Sequence, residues 1–181
     1  MDIELPEGDS LLMPVAGNSN ILVITGERGV GKTTYCQQAV DKYRKAGLRV
    51  SGLLSPARFD RHQKNGFFTF DLDSHETRLA ASSVPDEIMD GLPFGSWIFD
   101  PETLEWGNHC LKQVTATDVL VIDELGPLEF KRQMGWMASF EVLRDKKYRL
   151  ALVVIRPECI DFFSQLGFVF QTKEITDSQA L

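Results

Sequence analysis

This chain has little cysteine, and its three cysteines are far apart. They are Cys36, Cys110 and Cys159, with no C-x-x-C pair among them. The adjacent His109 and Cys110 are the only close pairing of cysteine with histidine, and two ligands are too few for a zinc site. These absences argue against a disulfide-stapled secreted domain and against a structural zinc domain. They favour reduced, buried thiols.

Positive charge and long apolar runs are also scarce. The chain has 19 Lys and Arg against 26 Asp and Glu, a formal net charge of -7. That is the wrong sign for a protein that wraps nucleic-acid phosphates or lies on an anionic membrane. The longest apolar run covers only residues 150–155, and the first twenty residues are acidic with no basic segment. We therefore expect no signal peptide, no membrane span, no nucleic-acid partner and a cytoplasmic location.

The length and composition indicate one domain with a substantial core. The chain has 181 residues, of which 43% are hydrophobic, and domains commonly have roughly 100–200 residues. Prolines, glycines and acids are mixed through residues 1–20, which predicts an extended lead-in with a short pairing segment over 11–15. Residues 21–181 are predicted to form the single domain.

The hydrophobic pattern predicts an α/β fold. A wholly apolar run over 21–25 is typical of a buried strand, a helical pattern runs from Lys32 to a stop at Gly47, and a second strand follows over 49–55. This β-loop-α-β unit favours a parallel sheet. Further strands are predicted over 118–124, 149–155 and 168–171, and helices over 101–114, 131–144 and 157–166.

The middle of the chain has a different pattern. Residues alternate in polarity over 66–72 and again over 76–80, with turn-forming residues between them. This alternation predicts an antiparallel hairpin inserted into a mostly parallel sheet. Another short strand is predicted over 95–100.

One glycine-rich segment carries a phosphate-binding motif. The residues from Gly26 to Thr33 match G-x-x-x-x-G-K-[ST] in full. The motif lies between a predicted buried strand and a helix start, which directs backbone N–H groups at phosphate oxygens. Lys32 would contact the β and γ phosphates, and the Thr33 hydroxyl would bind Mg²⁺. The predicted nucleotide-binding residues are Gly26, Glu27, Arg28, Gly29, Val30, Gly31, Lys32, Thr33 and Thr34, although Arg28 could equally be a solvated surface charge.

Two adjacent acids complete the predicted site. Asp123 and Glu124 end a buried apolar strand, at the edge where ligands bind in open α/β sheets. Asp123 can hold Mg²⁺ through water, so the predicted metal residues are Thr33 and Asp123. Glu124 can accept a proton from an attacking water, so Lys32 and Glu124 are the predicted catalytic residues. The other reading of Glu124 is structural: it would cap the next turn or pair with a surface cation.

Four other residues are weaker candidates. Trp97, Trp106 and Trp136 could each stack on a base, but they could also be core aromatics, and Trp97 is the first choice for stacking. Arg156 directly follows a predicted strand and could present its charge to the γ-phosphate, or it could be a surface charge.

These motifs resemble a known family. The segments that carry the resemblance are ILVITGERGVGKTT, RVSGLLSPARFDRHQKNGFFTFDL, FGSWIFDPETLEWGN and VLVIDELGPLEF. The chain is similar there to the small P-loop nucleoside-triphosphatases, also called the cancer-related or thermophile nucleoside-triphosphatase family. The resemblance runs from about Ile21 to Ile155 and implies a three-layer, Rossmann-like P-loop fold of the RecA type for the domain over 21–181. It implies slow, base-tolerant, Mg²⁺-dependent hydrolysis of nucleoside triphosphates to diphosphates and phosphate.

The resemblance also implies roles for individual residues. It makes Gly26, Gly29, Gly31, Lys32, Thr33 and Thr34 the phosphate and magnesium contacts, and Asp123 and Glu124 the acidic pair. Glu129 belongs to the same motif without an evident role.

The chain departs from the family pattern in two places. Where many relatives have T-E-E-V-R, residues 55–59 read S-P-A-R-F, so a role for that arginine does not transfer securely to Arg58. Residues 171–181 lack the N-x-x-x-R ending of relatives. No N-K-x-D motif is present, so strict specificity for GTP is not supported.

Three functions fit these features. The first is a Mg²⁺-dependent nucleoside triphosphatase. The second is a nucleotide or small-molecule kinase, which needs an acceptor pocket and usually a lid with arginines. The third is a nucleotide-dependent switch that hydrolyses little without a protein partner, which the sequence does not identify. A kinase would require an added acceptor, whereas a triphosphatase would release phosphate alone.

Overall fold

The structure is a computed structural model that describes residues 19–176. The strands are β1 (Ile21–Thr25), β2 (Val50–Leu54), β3 (Ala57–Asp60), β4 (Gln63–Asp71), β5 (Thr77–Ser82), β6 (Leu92–Phe94), β7 (Trp97–Phe99), β8 (Thr117–Leu125), β9 (Tyr148–Ile155) and β10 (Gln171–Glu174). The helices are α1 (Lys32–Lys45), α2 (Pro101–Gln113), α3 (Pro127–Arg132), α4 (Ala138–Asp145) and α5 (Ile160–Gln165), and a 3₁₀ turn over Pro157–Cys159 precedes α5.

The ten strands form one sheet in the order β10-β1-β9-β8-β2-β4-β5-β7-β6, with β3 paired to β4. The five strands from β10 to β2 are parallel to one another. Their apolar residues are buried on both sides of the sheet, as parallel strands require. One apolar cluster packs α1 on one face, and a second packs α2 to α5 on the other, which gives three layers.

The antiparallel insertion is larger than the predicted hairpin. The hairpin is present as β4 and β5, and the strand predicted over 95–100 is present as β7. With β3 and β6, the insertion has five strands. Aromatic side chains hold these strands together, because Phe67 on β4 meets Trp97 and Phe99 on β7 edge-on, with ring centroids 5.9 and 5.6 Å apart.

The predicted helix over 131–144 is wrong as a single element. The structure divides this part of the chain into α3 and α4, with a turn over 133–137. Gln133 and Gly135 in this turn have φ angles of 54° and 78°, in the left-handed region that a helix cannot contain. The turn brings the Trp136 N–H to the buried Glu129 carboxylate, 3.0 Å away. The left-handed residues and this hydrogen bond to Glu129 therefore end the helix that the spacing of the apolar residues predicted.

The last predicted strand lies three residues later than expected. Residues 168–171 were predicted as the strand, and β10 runs over Gln171–Glu174. Phe168 and Phe170 instead pack on Phe163 of α5, with ring centroids 4.6 and 5.3 Å apart. The aromatic residues that led to the strand prediction therefore pack against helix α5.

Residues 1–18, and with them the predicted pairing segment over 11–15, lie outside the described residues. Cys36 and Cys159 are buried and Cys110 is half-buried, and all three are free thiols. None of the helices between residues 19 and 176 is long and apolar enough to cross a membrane.

Candidate nucleotide site

The loop between β1 and α1 needs its glycines. Gly26, Gly29 and Gly31 have φ angles of 139°, 83° and 92°, which side chains with a Cβ disfavour. At Gly26 an added Cβ would also lie 2.4 Å from the backbone oxygen of Ile175, just after β10. The loop therefore has the strained path of a phosphate cradle and starts beside the β10 edge of the sheet.

Lys32 is folded into this loop. Its side chain is buried, and Nζ donates to the carbonyl oxygens of Gly26 at 2.8 Å and Glu27 at 2.7 Å. Burial lowers the pKa of Lys32, and the nearby carboxylates of Glu124 and Asp123 act in the opposite direction. The ammonium thus lies on the inner side of the loop, where loops of this sequence hold β and γ phosphates.

The other predicted loop residues divide between surface and core. Glu27, Arg28 and Thr34 are exposed, and Val30 is buried in the apolar cluster around α1. Arg28 lies at the wall of the cavity described below.

Asp123 is fully buried at the end of β8. Its Oδ2 accepts a hydrogen bond from the Ser55 N–H at 3.0 Å, and the Thr33 side chain hydrogen-bonds to the same carboxylate. Burial raises the pKa of Asp123 to about 6, against the effect of these hydrogen bonds.

The second carboxylate oxygen of Asp123, Oδ1, is buried without a hydrogen-bond donor within residues 19–176. A buried carboxylate oxygen left without a donor, next to a threonine hydroxyl, is a hard-oxygen set of the kind that Mg²⁺ takes. The described part of the chain has no group of three or more His, Cys, Asp or Glu that could hold a metal. Thr33 and Asp123 therefore fit Mg²⁺ only as partial ligands, with nucleotide and water oxygens completing the shell.

Glu124 forms an ion pair with Arg156. The Arg156 Nε–H donates to Glu124 Oε1 at 2.5 Å, and the two side chains are 24% and 31% exposed. Burial lowers the pKa of Arg156, but the attraction and hydrogen bond of Glu124 outweigh it and the net shift is upward. The structure therefore brings together two residues that the sequence analysis considered separately. It shows the ion pair with a cation that was one of the two interpretations of Glu124.

Glu129 has a positioning role that the sequence left open. It is 5% exposed, and its two carboxylate oxygens accept the N–H groups of Gly126 at 2.8 Å and Trp136 at 3.0 Å. Burial raises the pKa of Glu129 to about 7. The carboxylate thereby ties the turn after Glu124 to the turn between α3 and α4. The signal in the sequence was a glutamate three residues after Gly126, the spacing of a capping box.

A cavity of 270 Å³ opens beside these residues. Its wall includes Thr33 and Glu124 near the phosphate loop, and Phe67, Phe94 and Trp97 in the antiparallel insertion. The cavity thus extends from the phosphate loop beside the parallel strands to the antiparallel insertion.

The three tryptophans have different environments. Trp97 lines the cavity. Trp136 also lines the cavity, but it is 4% exposed and belongs to the core. Trp106 packs under Arg78, whose guanidinium carbon is 4.5 Å from the ring centroid. Arg58 is also engaged elsewhere, since it pairs with Glu87 at 2.6 Å within the insertion.

Comparisons with known proteins agree with this geometry. A family model described as NTPase matches residues 21–176. The curated protein Nucleoside-triphosphatase THEP1 of Thermococcus kodakarensis is 30% identical over 150 residues, which are 82% of this chain and 82% of that protein.

Solved structures show the same fold. The solution structure of a human cancer-related nucleoside triphosphatase superposes with a TM-score of 0.69 at 20% identity, covering 90% of this chain and 92% of that one. The crystal structure of THEP1 from the hyperthermophile Aquifex aeolicus gives 0.63 at 19% identity, covering 87% and 91%. The fold is that of the P-loop nucleoside triphosphatases.

Proposed function

Because this chain belongs to the NTPase family and is a nucleoside-triphosphate hydrolase, we propose that it cleaves the bond between the β and γ phosphates with Mg²⁺ as cofactor. The reaction is slow and tolerant of the base. The products are the nucleoside diphosphate and inorganic phosphate.

The observation that carries this proposal is the position of Asp123 and Glu124. Asp123 is buried against Thr33 of the phosphate loop, with Oδ1 open to a cation among the described residues. Glu124 follows at once and lies on the cavity wall with Thr33. Asp123 as a cation ligand and Glu124 as a proton acceptor thus lie beside the proposed position of the terminal phosphate.

The phosphate loop supplies binding and charge. The N–H groups of the loop and the first turn of α1 bind the phosphates, and Lys32 leaves its two carbonyl partners for the β and γ oxygens. When bound, Mg²⁺ would be held by Thr33 and Asp123 and would neutralise charge on the same phosphates.

Glu124 orients the attacking water and takes its proton. The water oxygen forms a bond to the γ-phosphorus, and the bond from that phosphorus to the bridging oxygen breaks. Arg156 holds the Glu124 carboxylate before the nucleotide arrives, and the γ-phosphate then competes for the guanidinium.

The test is phosphate release from ATP, GTP, CTP and UTP, each with and without Mg²⁺. The wild type should release phosphate from all four only with Mg²⁺. Glu124→Gln should lower kcat by about 10²- to 10⁴-fold, the usual effect of losing a general base, while MgATP still binds. Lys32→Ala should weaken MgATP binding.

The matched control is Glu141→Gln, an exposed glutamate on α4, which should behave as the wild type. The proposal is overturned if the wild type binds MgATP but releases no phosphate. Full activity of Glu124→Gln would remove Glu124 from the proposed mechanism.

A further inference from the structure

The cavity lies beyond the terminal phosphate and away from the β10 edge. The phosphate loop begins at Gly26, against Ile175 after β10. The other end of the loop lies toward β8 and β2, because the Thr33 side chain hydrogen-bonds to Asp123 on β8. The Asp123 carboxylate also accepts a hydrogen bond from the N–H of Ser55, the residue after β2. In such loops the lysine and the following threonine face the β and γ phosphates and their Mg²⁺.

The γ-phosphate therefore points along the sheet toward β2 and the insertion. The cavity continues in that direction, past Glu124 to Phe67 and Trp97. The nucleotide uses the near end of this space for its terminal phosphate, and the aromatic end stays open to a second molecule.

The size and walls of the cavity define the chemistry of that molecule. At 270 Å³ the whole cavity is just below the range of about 300–1,000 Å³ that holds drug-sized ligands. The γ-phosphate takes part of this volume, so the second molecule is small. Phe67, Phe94 and Trp97 line this end of the cavity with aromatic surface, although Lys64 lies over the rings of Phe67 and Trp97. A planar aromatic group packs well on such a surface.

The charges of the cavity favour a neutral or anionic ligand. Lys64 Nζ lies 5.6 Å from the Phe67 ring centroid and 5.8 Å from that of Trp97. The carboxylates of Glu124 and Glu129 already accept hydrogen bonds from Arg156 and from backbone N–H groups. The acids of the wall are therefore paired, and the lysine remains at the aromatic end.

We infer that the cavity binds a planar aromatic alcohol no larger than a nucleoside, and that the enzyme transfers the γ-phosphoryl group to its hydroxyl. This inference rests on the proposed function, because it uses the same γ-phosphate position and the same base. The hydroxyl oxygen forms the bond to the γ-phosphorus, the bond to the bridging oxygen breaks, and the hydroxyl proton passes to Glu124. The products are a phosphate monoester and the nucleoside diphosphate. Hydrolysis is then the reaction of water when the cavity holds no acceptor.

The experiment uses wild-type protein, Mg²⁺, ATP labelled on its γ-phosphate, and one of five probes. The probes are adenosine, guanosine, cytidine, uridine and pyridoxine, and labelled products are separated by chromatography. At least one probe should yield a labelled monoester, with less free phosphate in the same reaction. Calorimetry with a non-hydrolysable ATP analogue measures binding of the same probe without chemistry.

Two variants locate the acceptor. Ser96→Trp places a large ring at an exposed turn residue on the cavity wall and should lower transfer at least tenfold by occupying the space. Met89→Trp adds the same ring at a 76% exposed position of the insertion that is not on the wall of this cavity, and transfer should stay at the wild-type level. The affinity for MgATP reports whether each variant is folded.

The outcomes separate this inference from the proposed function. Phosphate release without binding or labelling of any probe overturns the inference and leaves the hydrolase intact. Binding without labelling overturns the transfer step. Equal labelling by the wild type and Ser96→Trp shows that the acceptor binds elsewhere, which also overturns it. Absence of phosphate release from ATP, together with absence of labelled product, counts against both.

Discussion

Arg156 and Glu124 come from the ends of neighbouring parallel strands and meet in a direct ion pair, with Nε and Oε1 2.5 Å apart. Gly126 makes room for this pair, because an added Cβ there would lie 3.2 Å from Arg156 Nε. The pair stands at the wall of the cavity, beside Thr33. The carboxylate proposed as the base and the guanidinium proposed to meet the γ-phosphate therefore lie together on one wall of the cavity.

Loss of the Arg156 guanidinium should affect turnover more than binding. Arg156→Ala is expected to lower kcat by about 10²- to 10³-fold, as for other charge-stabilising donors, with a much smaller change in KM. Steady-state phosphate release measures both constants. Arg149→Ala is the control, since Arg149 begins the same strand but pairs with Asp118 at 3.4 Å on the surface. An unchanged kcat in Arg156→Ala would show that the arginine only neutralises Glu124 in the free protein.

The two adjacent threonines of the loop should differ in their effect on Mg²⁺. Thr33 hydrogen-bonds to the Asp123 carboxylate, whereas Thr34 is exposed. Thr33→Val should raise the Mg²⁺ concentration needed for half-maximal phosphate release by at least tenfold, because it removes a hydroxyl ligand. Thr34→Val should change nucleotide affinity without that rise. Equal Mg²⁺ titration curves for the wild type and Thr33→Val would contradict the proposed cation site.

Glu129 should make the protein less stable as the pH rises. Burial raises its pKa in the folded protein from 4.5 to about 7. The stability contributed by the neutral carboxyl is therefore fully present below pH ~4.5 and is lost as the pH rises through about 7. The difference corresponds to roughly 3 kcal/mol. Chemical denaturation between pH 4.5 and 8 should show this decline in the free energy of unfolding.

Substitution of this glutamate tests the assignment. Glu129→Gln cannot ionise, so its free energy of unfolding should vary less with pH over the same interval. Glu141→Gln, at an exposed position on α4, should keep the slope of the wild type. The same slope in all three proteins would show that another group titrates.

Gly135 should tolerate alanine much less than Gly167 does. Both have positive φ, 78° and 83°, so both substitutions strain the backbone. Only at Gly135 would the new Cβ collide with another group, 1.9 Å from Glu129 Oε1, whereas nothing lies within 4 Å at Gly167. Displacing the buried carboxylate leaves backbone donors unpaired, at about 1–3 kcal/mol. Thermal unfolding should give the lower Tm for Gly135→Ala, and equal values would contradict the role of Glu129.

Local patterns sufficed for the phosphate loop and the strands around it. The loop motif is continuous, its glycines are required by local φ angles, and β1, α1 and β8 appear within one or two residues of the predicted bounds. The conformations of these segments depend mainly on residues that are close together in the sequence. The fold class followed from the same patterns.

Features that depend on distant partners could not be predicted in this way. The helix over 131–144 is divided at a turn whose Trp136 N–H donates to the buried Glu129 carboxylate, a contact only seven residues apart that hydrophobic periodicity does not report. The insertion contains β3 and β6 in addition to the predicted hairpin and the strand predicted over 95–100, and aromatic residues of β4 and β7 pack together across it. Hydrophobic periodicity does not report which side chains meet.

The sequence by itself determined that the chain is an α/β phosphate-binding protein with an acidic pair after a buried strand. Only the tertiary structure decided that Glu124 pairs with Arg156, 32 residues further along the chain, and that an aromatic cavity adjoins them. The physical reason is that a motif fixes the backbone of a few consecutive residues, whereas an ion pair or a cavity exists only after separate strands are placed side by side.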